Sequence, residues 1–152
     1  MTIDEWLDEH NQQYFSWLER LRKMNEENFF QPIADQKWSP AAIVMHMAAW
    51  DHYTLDDRIP QINEGARLEK FPDFQQFNEQ AWKKADSGFS QNEIMDEARN
   101  ERELLMETVR TMDKDKLHAK FSIGNDTMTT EEYITGFAGH DRHHMKQIGG
   151  AE

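Results

Sequence analysis

The chain has 152 residues, with 17 Lys plus Arg against 29 Asp plus Glu, so its formal net charge is −12 at pH 7. That length predicts one domain over residues 1–152, and the acidic balance argues against nucleic-acid phosphates and anionic membranes as partners. Cysteine is absent, which excludes disulfide scaffolding, Cys-ligated zinc and a cysteine nucleophile. The mean hydropathy of −0.93 resembles that of disordered chains, but five Trp, nine Phe and nine Met do not. The opening MTIDEWLDEH is acidic where a signal peptide is basic and then apolar. No apolar run approaches the roughly 18–20 residues of a membrane helix. A soluble, folded, cytoplasmic domain is expected.

Periods of 3.6 residues dominate the chain. Thr2 and Glu5 form a capping box for a first helix. Its seam is Ile3, Leu7, His10, Tyr14, Trp17, Leu21 and Met24, ending before Pro32. Trp38-Ser39-Pro40 starts a second helix, with Ser39 as N-cap and Pro40 in the first turn. It carries Ile43, His46, Met47, Trp50, Tyr53 and Thr54 until Pro60 ends or kinks it. Residues 61–72 read as an irregular crossover, and a shorter helix spans Asp73 to Ala85 with Phe74, Phe77 and Trp82 on its apolar side.

After the turn Asp86-Ser87-Gly88, Ser90 and Glu93 cap a helix whose stripe is Ile94, Ala98, Leu105, Val109 and Met112. Residues 113–128 form a polar connection, tightest at Gly124-Asn125-Asp126, with a short extended piece around Phe121 and Ile123. Thr129 and Glu132 cap the last helix, which Gly149 and Gly150 stop. Four long helices, one extra short helix and a long crossover between the second and third long ones predict an all-α antiparallel bundle.

The seven histidines carry the chemistry. Tyr133, Phe137, His140 and His144 share a face of the last helix, so its inward stripe turns from aromatic to imidazole. Side chains four apart have Cβ atoms about 5–6 Å apart, close enough for two imidazoles to converge on one ion. His143 points about 100° away from His144, into solvent or behind a ligand ring. A third ligand is needed. His46, between Ile43 and Trp50, is the leading candidate and His10 its competitor. His52 falls on the far side of its helix and His118 in the polar connection. The competing view is a core histidine at His10 and a solvated, histidine-rich helix end at His140 and His144, favoured by the helix dipole.

Two motifs add to this reading. Trp38-Ser39-Pro40 with His46 six residues after the proline resembles the start of the second helix in the DinB/YfiT-like superfamily. His140-Asp-Arg-His143-His144-Met-Lys-Gln147-Ile148 resembles that family's closing H-x-x-H-H-x-x-Q-I. The resemblance implies a four-helix bundle in up-down-down-up order. It also implies a divalent metal, zinc or nickel, held near one end by three histidines that match His46, His140 and His144, with water in the open positions. Lys146 departs from the Gly that many relatives carry before the Gln, without touching the ligand positions.

No motif marks a general base. Asp51, Asp57 and Glu101 are candidates, Glu101 either at the edge of its helix or orienting a ligand ring; Asp141 is expected at the surface. Trp17, Trp50, Tyr53 and Phe137 are expected in the core, one or two of them walling a pocket. Gln147 and Tyr14 are candidate polar groups near the ion. The resemblance implies a metal-dependent enzyme of detoxification or stress response acting on a small-molecule substrate. Its ion would activate a low-molecular-weight thiol co-substrate, such as bacillithiol or mycothiol, or water. The alternative is a metal- or ligand-binding bundle without turnover. Bundles of this size often form homodimers.

Overall fold

The computed structural model describes residues 1–71 and 74–148. The helix start expected at Asp73 and the stop at Gly149-Gly150 lie outside the described residues. Helix α1 comprises Ile3–Glu5, a π-helical turn Trp6–His10, and Asn11–Arg22. Its capping box forms as the sequence predicts, Thr2 Oγ1 accepting from the Glu5 N–H and the Glu5 carboxylate from the Thr2 N–H. A short helix α2, Glu26–Phe30, follows and buries Phe29. Helix α3 is Pro40–Tyr53, opened by Ser39 Oγ accepting from Ala42 N–H at 3.0 Å. It runs on through a second π turn, Thr54–Arg58, and a 3₁₀ turn, Ile59–Gln61. Pro60 sits at the start of that last turn, where a missing N–H costs little.

The remaining helices are α4, Phe74–Ala85; α5, Gln91–Arg110; α6, Lys114–His118; α7, Thr130–Thr135; and α8, Phe137–Gln147. Helices α7 and α8 are one helix interrupted at Gly136. The crossover and the polar connection are more ordered than the sequence predicts. Strand β1 is Arg67–Leu68, β2 is Lys120–Ile123 and β3 is Asp126–Thr129. Strands β2 and β3 form a hairpin around Gly124-Asn125, where Gly124 has φ +59°, a backbone conformation that favours glycine. Strand β1 pairs parallel with β2. Leu68, Phe121 and Ile123 point into the core from this small sheet.

The long helices run up-down-down-up. Arg22, at the end of α1, meets Asn92 and Asp96 near the start of α5, while Asn11 meets Arg102. Helix α3 runs alongside α5: its first half shares one apolar cluster with Ile94 and Ala98, and Ile59 shares another with Leu105 and Val109. The α8 end packs back on α3 through His144 and His46, and runs with α1 through Ile3 to Glu131 and His10 to Asp141. Parallel α3 and α5 demand the long crossover that carries β1 and α4. Among the described residues, no helix is long and apolar enough to cross a membrane.

A polar layer divides the two apolar clusters. Arg102 on α5 is 1 % exposed and makes five hydrogen bonds. Its Nε and Nη2 hold Asp51 of α3 at 2.8 and 3.2 Å. Its Nη1 and Nη2 hold Asp141 of α8 at 2.9 and 3.0 Å, and Nη1 also reaches Asn11 of α1 at 2.7 Å. The Tyr14 ring lies 4.0 Å from the guanidinium carbon. His10 Nε2 donates to Asp141 Oδ2 at 2.7 Å. Asp141 is therefore not the surface charge the sequence suggests; it is 2 % exposed and tied to two helices. Burial pushes the Asp51 carboxyl up, outweighing Arg102. For Asp141 burial acts in the same direction, but Arg102 together with the bonds from His10 and Arg102 holds it below the usual carboxylate range.

Removing one member of a buried ion cluster strands the others, at a cost of about 3–5 kcal/mol, whereas exposed pairs contribute about 1 kcal/mol or less. Arg102→Ala is therefore expected to lose about 3–5 kcal/mol in urea unfolding. Arg99→Ala, which removes the exposed pairs to Glu103 and Glu19 and a cation–π contact at 4.7 Å with the Phe15 ring, should lose no more than about 1–2 kcal/mol. Equal losses would contradict the central place given to Arg102.

Candidate metal centre

His46 enters the bundle from the middle of α3, where every residue from Pro40 to Ala48 is buried. His140 and His144 stand one turn apart on α8. The three side chains meet: one ring nitrogen from each lies within 4.8 Å of the others. Ring centroids are 4.7 Å apart for His46 and His144, 5.5 Å for His46 and His140, and 4.6 Å for His140 and His144. His46 is 5 % exposed and His144 7 %; His140 is half-buried.

Aromatic rings fence the cluster. Trp38 lies 5.2 Å from the His46 ring and 4.7 Å from Trp82 of α4. Trp50 lies 6.3 Å from His46 and 6.1 Å from His140. Phe77 of α4 packs on Trp50 at 4.8 Å. The crossover helix α4 thus packs against the rings that border the cluster, through Trp82 on Trp38 and Phe77 on Trp50.

Desolvation lowers the His46 pKa to about 3, with repulsion from His144 and His140 adding to the shift and the Asn78 side chain opposing it. Burial likewise lowers His140 to about 4, helped by His144, and lowers His144. All three rings are neutral at pH 7, the state in which imidazole ligates. His144 Nδ1 donates to Gln147 Oε1 at 2.7 Å, which leaves its Nε2 lone pair facing His140 Nε2 at 3.1 Å. Three converging neutral imidazoles, one already oriented through its far nitrogen, fit a divalent metal ion.

The other sequence candidates stand elsewhere. His10 serves Asp141 in the polar layer. His52 is exposed and pairs with Glu101 at 3.2 Å, so Glu101 is an edge residue and orients none of the three rings. His118 and His143 are exposed, the latter with its ring 5.1 Å from His144. Asp51 is engaged by Arg102, and Asp57 is exposed. Tyr14 lies under Arg102, away from the histidines. Trp17 is core, Trp50 borders the cluster, and Tyr53 and Phe137 are half-buried.

Sequence reasoning missed Arg102. The signal was present: 102 lies four after Ala98 and three before Leu105, on the stripe itself, whereas Glu101 lies beside it.

The family profile of the DinB superfamily matches residues 7–148. The chain belongs to the DinB superfamily. Among solved structures, this DinB-superfamily chain resembles YfiT from Bacillus subtilis, described as a probable metal-dependent hydrolase with an unusual four-helix bundle topology. The TM-score is 0.75 at 17 % identity, over 98 % of this chain and 85 % of that one. At that identity the likeness establishes the shared fold. No curated protein matches the chain.

The depressed histidines set a pH dependence for the metal-free protein. Below pH ~6.5 an unfolded histidine takes up a proton that folded His46 refuses until about pH 3. The stability contribution is thus fully present above pH ~6.5 and is lost as pH falls toward the folded values. Between pH 7.5 and 5, His46 alone is expected to remove about 2 kcal/mol of urea stability. His46→Gln should show a shallower slope; an unchanged slope would refute the assignment.

Proposed function

We propose that this DinB-superfamily protein is a metal-dependent enzyme of hydrolase type acting on a small molecule, with His46, His140 and His144 holding a zinc or nickel ion. The observation that carries this reading is the donor set. Three neutral imidazoles from two helices converge within 4.8 Å, and no fourth His, Cys, Asp or Glu joins them among the described residues. Structural metal sites are closed by four protein ligands, whereas catalytic ones keep a position open. The description given to YfiT supports the same reading.

A divalent ion held there supplies Lewis acidity and makes a nucleophile available at neutral pH. The chain's own residues prepare that position. Gln147 fixes the His144 ring through Nδ1. Trp38 and Trp50 keep water from the flanks of His46. Asp51 and Glu101 are committed to Arg102 and His52, so neither stands free as a general base beside such an ion.

Elemental analysis of untagged protein should find about one divalent ion per chain. A His46→Ala, His140→Ala double variant that keeps its helical circular dichroism should lose it. Ester and amide hydrolysis should fall by about 10²-fold or more with it. Turnover only with an added low-molecular-weight thiol would replace hydrolysis by S-transfer. A stable ion without turnover would make the chain a binding bundle. No ion after incubation with zinc, nickel or manganese would overturn the proposal.

A further inference from the structure

A cavity of about 370 Å³ lies between α3, α4 and α5, and none of the three clustered histidines lines it. Its floor is Met45 and Ala48 of α3 and Ala81 of α4, all buried, with the half-buried Ala49 and Phe77 beside them. The facing alanines are too small to fill the space between the two helices. The volume falls in the range of ligand pockets, about 300–1,000 Å³. Positions 45, 48, 49, 52 and 56 recur at steps of three and four, so they share one face of α3 and its π turn. His46 points about 100° round the helix from Met45. The cavity and the metal centre therefore use adjoining faces of α3. Trp50 links the two, with Phe77 of the cavity wall 4.8 Å from its ring and His140 6.1 Å from it.

Charge in this cavity is one-sided. Four carboxylates line it, Asp56, Asp57, Glu97 and Glu101, against one ammonium, Lys84. Lys84 pairs with Glu97, and Glu101 pairs with His52 at 3.2 Å. Asp56 and Asp57 remain, both exposed. Among the described residues Asp56 takes part in no hydrogen bond or ion pair, and the Asp57 carboxylate has one long contact, from Gln61 Nε2 at 3.4 Å. Asp57 and Glu101, candidates for a general base from the sequence, meet here rather than at the histidines.

An anion entering this space would face like charge on several sides. A neutral apolar molecule would gain from the floor alone. An ammonium on an apolar body gains from both: burial on the floor, charge-assisted hydrogen bonds to the free carboxylates, and attraction to the Tyr53 and Phe77 rings, whose centroids lie 5.9 Å apart in the wall.

We propose that this cavity binds a small organic amine, its apolar body against Met45, Ala48 and Phe77 and its ammonium at Asp56 and Asp57. The site requires no metal, so it stands or falls apart from the hydrolase reading.

The test is an amide NMR titration of the full chain with 2-phenylethylamine, beside 2-phenylethanol and 3-phenylpropanoate at matched ionic strength. The amine should shift the Ala49, His52 and Gln80 amides saturably, with a Kd of about 1 mM or tighter. The alcohol should bind at least about fivefold more weakly and the propanoate not at all. Ala49→Phe, which fills the cavity, should abolish the shifts; Gln80→Trp, at an exposed lining position, does the same if Ala49→Phe does not fold. An Asp56→Asn, Asp57→Asn variant should weaken the amine at least about fivefold. Asp35→Asn with Asp115→Asn, an equal change in net charge outside the cavity, should leave it unchanged, as should His46→Ala with His140→Ala. No saturable shift, alcohol binding as tight as amine binding, or equal weakening by the two charge variants would overturn the proposal. So would loss in the histidine variant alone, which would place the amine on the metal centre.

Discussion

The buried cation at Arg102 is the constraint on which the bundle depends. It draws one carboxylate from α3 and one from α8, an amide from α1, and it comes itself from α5. No other described side chain ties all four long helices together. A charge in an apolar interior tolerates one arrangement of partners and penalises the rest, because a slipped helix would strand a carboxylate or a guanidinium. The two apolar clusters on either side could be satisfied by many packings of Leu, Ile, Met and Trp. The layer between them is satisfied by one register. Asp141 immediately follows His140, and Asp51 lies five residues after His46, so the same register sets the level at which the histidines meet.

Much of the fold was legible because it is local. Capping boxes at Thr2, Ser90 and Thr129 and the Ser39-Pro40 start depend on neighbours three residues away, and all four form. The apolar stripes marked the buried faces for a related reason: 3.6-residue periodicity is written in the chain. What was not legible is what breaks periodicity or spans distance. The π turns at Trp6–His10 and Thr54–Arg58 insert a residue without any residue type that announces it. The pairing of β1 with β2 joins segments whose partners sit far along the chain.

The polar core was misread for a different reason. Reading stripes by their apolar members skips a charged residue on the same stripe. Asp141 completes Ile134, Ala138, Asp141, Met145 and Ile148 at steps of four and three, alongside the histidine stripe rather than on it. Arg102 completes Ile94, Ala98, Arg102, Leu105 and Val109. Two opposite charges, each at the centre of an otherwise apolar stripe, are a signature of a buried pair, visible only when both helices are considered together. The histidine cluster was half local. His140 and His144 are brought together by one helical turn; that His46 rather than His10 faces them is decided by the packing of α3 on α8. Burial then does what sequence spacing cannot, keeping all three rings neutral.

The small sheet has a kinetic consequence. Most contacts in a helical bundle join residues near one another in sequence, and such chains fold quickly. Here Arg67 and Leu68 must find Ser122 and Ile123, across the whole of α4, α5 and α6. The loop-closure entropy for that meeting is lost before the short strands return any hydrogen bonds. The sheet also fastens the crossover, and with it the stretch between Arg58 and α4, onto the connection that leads into α7. Contact order, rather than helix propensity, is thus expected to limit how fast this bundle reaches its native state, with the helices forming early and the stitching of the two connections arriving late.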